Sequence, residues 1–433
     1  MKPIIKIILV IVFCISVNSL QAQQSLVLTL DSAISYAITH NKTLVNSKLT
    51  VDKSTQKIRE TLSQGLPQVN ASFDYSNFLG ATASLQLNPS APPATITFNP
   101  TSNFKASASQ LIFNGSYFVG VQLSKLGKSI AEQSYQKDEQ NVKDQVIQAY
   151  YMVLASERLL TIIKENKINV QLIQEKTQNL ANAGMIEQTD AKKLAILVAS
   201  VENALKSTER QVEFGYNMLR LQLGIDSEQA IQLSTHLDEV ALQYINPAIA
   251  KTAFNIQDNQ DFKLIVMQGE IAQKSIQLKK ASYLPSVAAF YSYTEKLKKP
   301  VFDLSPKNVV GLTLNIPIFS GGQRSSQVNQ AKIDYAISEN TKDLLTEQLT
   351  LQERQLRYNY NNLLEQYQSQ KANVEIANEV LEKMKLKFQQ GIISSLELTS
   401  SNSDYLNAES TYTGILLQLL NAESSLRKIN SKL

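Results

Sequence analysis

Two carboxylates in matched positions are the side chains here best placed to bear a functional charge. Asp190 lies six residues past Gly184, and Glu397 lies six residues past Gly391. Each opens a helical pattern just after a short turn. An acid at that place also suits the positive end of the helix macrodipole, whatever the function. That structural account suffices for Asp190, and for Glu397 both accounts stand. Little else is equipped for catalysis. His40 and His236 are the only histidines, far apart and without metal-ligand spacing. Ser, Asp and Glu are abundant, but none sits in a nucleophile elbow or a carboxylate constellation. No glycine-rich phosphate loop is present. The expectation is a chain with no catalytic residues, no metal site and no cofactor.

The elements that position the two acids begin beyond an N-terminal leader. Lys2 and Lys6 precede an apolar run from Ile7 to Val17, and Ser19-Leu20-Gln21-Ala22 offers a cleavage point. The run is too short to span a membrane, which takes roughly 20 apolar residues, so 1–22 reads as a secretory signal peptide. Cys14, the single cysteine, lies inside it. Ile11, Val12 and Phe13 stand before Cys14 where a lipidation site needs small residues. Without Lys2 and Lys6, the 42 basic residues fall to 40 against 38 acidic ones, a balance that makes no case for nucleic acid.

Proline is absent between Pro100 and Pro247 and again after Pro317, and tryptophan is absent throughout. A proline inside a helix costs about 3 kcal/mol, so its exclusion from such stretches predicts long helices. Val142, Val146, Ala149, Val153, Leu160, Ile163 and Val170 follow a heptad seam. So do Leu349, Leu356, Tyr360, Leu363, Tyr367, Val374, Ala377, Leu381 and Met384. From about Tyr117 to Ala183, one helix would be roughly 100 Å long at 1.5 Å per residue.

The chain is written twice. Asn41–Pro67 aligns without a gap onto Asn259–Pro285, bringing Leu66-Pro67 onto Leu284-Pro285. Leu111–Gly115 matches Pro317–Gly321, and Gly184-Met185-Ile186 matches Gly391-Ile392-Ile393. Each half then has one plan: a helix, two strands, a very long helix, a glycine turn and a second long helix. The first helix opens at Leu30-Asp31-Ser32, with Asp31 as its expected N-cap.

The strands alternate. Val310, Leu312, Leu314 and Ile316 oppose Gly311, Thr313 and Asn315; Phe104, Ala106 and Ala108 oppose Lys105, Ser107 and Ser109. This period fits a sheet between lipid and water, or a soluble sheet with one buried face. Tyr75, Phe78, Tyr291 and Tyr293 are membrane-interface aromatics on the first reading and core on the second. Gly80–Thr101, with Pro89, Pro92, Pro93 and Pro100, and Glu295–Lys307 read as loops. Four membrane strands cannot seal themselves, because open edges are not tolerated in lipid. Three copies would supply twelve strands and twelve long helical segments.

With its two halves, its Leu-Pro strand openers and its Gly184 and Gly391 turns, the chain resembles the TolC outer-membrane efflux family from Leu28 to about Arg427. The resemblance implies a mainly α fold with a membrane β-barrel portion. Four strands per protomer would complete a twelve-stranded barrel in a homotrimer, above an α-barrel of coiled-coil helices in the periplasm. It divides the mature chain into a helix (23–65), a strand pair (66–113), a helical hairpin (114–223), a linker or equatorial segment (224–252), a second helix (253–283), a second strand pair (284–319) and a second hairpin with the C-terminal equatorial segment (320–433). It implies an exit duct in the outer-membrane lipid for a tripartite efflux or type I secretion system, with a periplasmic adaptor and an RND- or ABC-type inner-membrane pump as partners.

For the sites, the resemblance places Glu397 where the family often has an acidic ring facing the pore, and Asp190 at the matching point of the first half. Three such carboxylates would favour cations. A second acidic position falls on Ser400, and a latching tyrosine and arginine found in some members fall on Phe388 and Ile393, so apolar contacts would hold the closed state here. Gly184, Met185, Gly391 and Ile392 mark the helix-turn tips, with Ala181–Asp190 and Gln389–Leu398 as adaptor-docking segments. The competing readings are a periplasmic adaptor, which predicts one hairpin instead of two, and a soluble coiled-coil scaffold, which leaves the strands without a role.

Overall fold

The structure is a computed structural model and describes residues 26–86, 92–300, 303 and 305–433. The expected signal peptide with Cys14, and Pro89 of the first loop, lie outside the described residues. In chain order the elements are β1 (Leu26–Leu28), α1 (Leu30–His40), α2 (Lys42–Ser63), β2 (Gln68–Ser76), β3 (Thr82–Leu85), β4 (Ala94–Thr97), β5 (Thr101–Asn114), α3 (Gly115–Asn182), α4 (Gln188–Leu223), β6 (Ile231–Leu233), α5 (Leu237–Tyr244), α6 (Gln260–Ala281), β7 (Ser286–Lys298), β8 (Asn308–Asn315), α7 (Gln323–Gln389) and α8 (Ser395–Ile429). Two helices, α3 and α7, have 68 and 67 residues. The chain carries two long helical hairpins, against the single hairpin expected of an adaptor.

Several expectations need correction. The first helix is capped by Thr29, whose Oγ1 accepts from the Ser32 amide at 3.2 Å while Ser32 Oγ accepts from the Thr29 amide at 2.8 Å. This reciprocal box uses both hydroxyls and leaves Asp31 in the first turn. That helix is also two helices, because Asn41 interrupts it. The first outer loop contains its own hairpin, β3 with β4. In the second half Glu295–Lys298 belong to β7, so the loop there is shorter than expected. The aligned Leu111–Gly115 and Pro317–Gly321 differ in structure: β5 runs to Asn114 and straight into α3, whereas β8 stops at Asn315.

The chain divides into two compact units. One comprises the chain up to Ser47, Tyr135–Phe262 and Leu345–Leu433. In it β1 pairs in parallel with β6, and α1, α3, α4, α5 and α8 enclose a core around Val146, Tyr150, Val153, Leu219 and Leu416. Every residue of the two heptad seams is buried or half-buried. The other unit comprises Lys48–Ser134 and Lys263–Leu344 and holds an antiparallel sheet in the order β2-β5-β7-β8.

The duplication reaches single hydrogen bonds. Asn41 Oδ1 accepts from the amides of Thr43 and Leu44 at 2.8 and 3.3 Å, and its Nδ2 donates to the Gln222 carbonyl at 2.7 Å. Asn259 accepts from Asp261 and Phe262 at 2.9 and 3.2 Å and donates to the Ile429 carbonyl at 3.0 Å. Each buried asparagine thus starts one helix and ties down the end of another. Those ends match as well. Gly224 adopts φ 74°, with Ile225 N–H donating back to Arg220. Ser431 adopts φ 53°, with Lys432 N–H donating back to Arg427. This paired C-cap wants a left-handed residue, which glycine supplies without strain.

Ser431→Gly is therefore expected to stabilise the fold by about 0.5–1 kcal/mol, the strain relieved less the freedom that glycine adds to the unfolded chain. Gly224→Ala is expected to destabilise it, since a Cβ would sit 2.3 Å from the His40 carbonyl oxygen. Thermal melts of the purified protein read both.

Candidate functional site

The two helical tips lie in the first unit and are built alike. In one, Met185 N–H donates to Leu180 at 2.9 Å and Gly184 N–H to Ala181 at 3.1 Å. In the other, Ile392 donates to Lys387 at 2.9 Å and Gly391 to Phe388 at 3.1 Å. Both glycines have φ 73°, the left-handed value expected of them. The exposed pair Met185 and Ile392 occupies matching places just beyond.

The acids differ. Glu397 is the third residue of α8, and its Oε2 accepts from the Ser394 amide at 2.9 Å while the Glu397 amide donates to Ser394 Oγ at 3.2 Å. The carboxylate thus closes a capping box and stays exposed. Asp190, in the first turn of α4, lies 3.6 Å from Lys193 Nζ. Ser400 is exposed one turn past Glu397.

Apolar packing joins the tips. Ile173 and Leu194 of the first hairpin are buried with Leu381 and Leu398 of the second, and Phe388, Ile393, Met384 and Tyr405 pack against them. Beside this cluster lies a cleft of about 610 Å³ that Met185, Asp190, Phe388, Gly391 and Ile393 help to line. The structure thereby brings together Asp190, Phe388 and Ile393, while Glu397 and Ser400 are not among the residues lining the cleft.

A polar line on α8 continues this packing and was not singled out in the sequence. Leu398, Asn402, Tyr405, Glu409, Tyr412, Leu416, Leu419, Glu423 and Leu426 recur at alternating spacings of 4 and 3, and all are buried or half-buried. Each polar member has a partner. Asn402 Nδ2 donates to Asn166 Oδ1 at 2.5 Å, both residues being buried. Glu409 accepts from Arg158 at 3.2 Å and from Tyr405 at 3.2 Å. Glu423, 1% exposed, accepts from Arg427 Nε and Nη2 at 2.9 and 2.7 Å.

Burial pushes the Glu423 carboxyl above its ordinary value, with Arg427 pulling against it. Burial alone would lower the Arg158 guanidinium, but the carboxylates of Asp238 and Glu409 outweigh it and hold it raised. Burial, with the charge of Glu409, pushes the Tyr405 hydroxyl up to about 12. Asn166 falls between Ile163 and Val170 on the α3 seam, so a polar residue within a heptad pattern was the available signal.

The second functional surface is the sheet. One face carries Phe73 opposite Phe104, Ala108 opposite Tyr291 opposite Val310, Ala289 opposite Leu312 and Val287 opposite Leu314. Val310 and Leu312 are 82% and 71% exposed. The other face carries Ser72, Lys105 and Thr294 in register, then Asn70, Ser107 and Ser292. Phe290, an exception on this polar face, covers Gly311. Tyr75, Phe78 and Tyr291 are exposed and so are not core. An exposed apolar face opposite a hydroxyl-rich one is the arrangement of a wall with lipid on one side and water on the other. A soluble sheet would bury the first. Among the described residues one helix, α3, is long and apolar enough to cross a membrane, but half of its most apolar stretch is buried inside the protein.

The profile of the outer membrane efflux protein family matches residues 33–224 and 256–430. The chain belongs to that family. Outer membrane protein TolC of Salmonella enteritidis is 22% identical over 412 residues, covering 90% of this chain and 80% of that protein. The fold matches the CmeC outer membrane channel of Campylobacter jejuni with a TM-score of 0.73 at 15% identity, over 93% of this chain and 85% of the other. It matches the open state of the MtrE outer membrane channel of Neisseria gonorrhoeae with a TM-score of 0.68 at 15% identity, over 93% and 88%. The protein is an outer-membrane exit channel for efflux, with a large periplasmic portion, in a family of channels and not of enzymes.

The buried asparagine pair makes the tip packing testable. Asn402→Leu alone is expected to cost about 1–3 kcal/mol, because Asn166 loses its partner in a dry seam. Asn166→Leu with Asn402→Leu together is expected to recover most of that loss. Thermal unfolding of the three variants measures the coupling.

Proposed function

We propose that this outer-membrane channel works as a homotrimer, its four strands per protomer completing a twelve-stranded barrel and its long helices a periplasmic tunnel. The observation that carries this reading is the sheet order, in which β2 and β8 each have one edge unpaired among the described residues. Hydrocarbon offers those edges no hydrogen-bond partner, so another copy must. Three copies are the number that the family resemblance supplies. Mass measurement of the detergent-extracted protein by light scattering tests it: a species of three chains is expected, and a monomer in the soluble periplasmic fraction would sink the reading.

In this reading the tips Gly184–Met185 and Gly391–Ile392 meet a periplasmic adaptor, which links the channel to an inner-membrane pump of the RND or ABC type, in tripartite efflux or type I secretion. The matched, exposed, apolar Met185 and Ile392 support docking there. The cluster around Phe388 and Ile393 serves as the apolar closure of the periplasmic end. Glu397 is the acid of the pore entrance, since no cation lies within 4 Å of it among the described residues, whereas Lys193 partners Asp190. Ser400 contributes a hydroxyl where a second acid would strengthen the ring.

Glu397→Gln keeps the capping box and removes the charge. In planar bilayers under a salt gradient, its reversal potential is expected to move towards the anion side. An unchanged potential would remove Glu397 from the pore.

A further inference from the structure

We propose that the outer end of the apolar sheet face binds the phosphate of an anionic lipid headgroup, through Lys298 beside Tyr75 and the adjoining Lys299. The inference rests on the reading of this face as the lipid-facing one.

Strict alternation along β7 would send Lys298 to the polar face together with Lys296. A register shift prevents this. On β5 the pairing advances from Asn103 to Ser102, while on β7 it jumps from Lys296 to Lys298. Leu297 is the extra residue, and Lys298 comes to lie opposite Ser102, which itself lies opposite Tyr75. The row thereby joins the face of Phe73 and Phe104. The Lys298 ammonium stands 5.8 Å from the centre of the Tyr75 ring, and Ser102 beneath is buried. A bulge of this kind re-aims a side chain, and here it turns a second cation onto the face where Glu295, opposite Phe104, already pairs with Lys307.

The place on that surface narrows the partner. The helices of this unit join the sheet at the opposite end, next to Leu66-Pro67 and Leu284-Pro285, so Lys298 sits at the hairpin end, away from the periplasm. Two neighbouring lysines are already neutralised: Lys307 donates to both Glu295 oxygens at 3.0 and 2.9 Å, and Lys296 pairs with Asp303. Among the described residues Lys298 and Lys299 have no carboxylate within 4 Å, and both are exposed. An apolar band that ends in an aromatic ring, where Lys296, Lys298, Lys299 and Lys307 outnumber the carboxylates Glu295 and Asp303, matches acyl chains ending in a phosphate. Lysine stems lie along the apolar part while the ammonium reaches the headgroup level.

The test uses the full-length protein purified in a neutral detergent, with channel conductance recorded first. Added dioleoylphosphatidylglycerol is expected to raise the thermal midpoint of the oligomer by several degrees more than dioleoylphosphatidylcholine, and inorganic phosphate is expected to leave it unmoved. The Lys298→Gln, Lys299→Gln variant should lose the difference between the two lipids, and the Lys298→Arg, Lys299→Arg variant should keep it. Equal shifts with both lipids in the conducting wild-type protein would overturn the proposal, as would a shift with phosphate alone or a glutamine variant that keeps the difference. Absence of any conducting oligomer would instead overturn the membrane reading on which it rests.

Discussion

Backbone amides and carbonyls at the rim of a sheet must find partners, and in hydrocarbon an unpaired one costs several kcal/mol. In this chain β2 and β8 stand at the two rims of a four-stranded sheet. Much else follows from that demand. The strands alternate because one face meets acyl chains and the other meets water. In the proposed homotrimer these rims join rims of further copies, and the protomer is a fragment of a closed wall.

The helical part solves a different problem. A seam made only of leucine and valine would grip tightly in any register of the heptad. On α8 the seam is interrupted by Asn402 and Glu409, matched to Asn166 and Arg158 of α3, while Glu423 pairs with Arg427 one turn along the same helix. Such groups contribute little net stability, because desolvation offsets most of their attraction. A shift of register would part Asn402 from Asn166 and Glu409 from Arg158, which penalises the wrong alignment far more than it rewards the right one. Polar residues here act as an alignment code within an apolar glue.

This explains what could and could not be read from the sequence. The seams of α3 and α7 were legible because their positions are almost all apolar, and the turns at Gly184 and Gly391 because only glycine takes that backbone without cost. The alternating faces of β5 and β8 were legible for the same reason of simple period. The α8 seam was not, since its carboxylates and amide look like surface residues until their partners, Asn166 and Arg158 of α3 among them, are known. Asp31 was mistaken for a cap because Thr29 and Ser32 cap each other, a reciprocity that a single-residue preference does not reveal. Glu397 was recognised as a helix-start acid, but its hydrogen bonds to Ser394 emerge only from coordinates. The register shift at Leu297 has no sequence signature, because a bulge is a property of two strands together.

The glycine at each tip and the left-handed cap at the far end of the returning helix are separated by 40 residues in both halves, Gly184 to Gly224 and Gly391 to Ser431. Nearly every side chain between those points differs between the halves, yet the two arms are equal in length. A single inserted residue would rotate everything beyond it by about 100° and lift it by about 1.5 Å, throwing one arm out of step with its twin. Length, more than identity, is what the two arms have in common, and a deletion in one would keep them in step only alongside a matching one in the other.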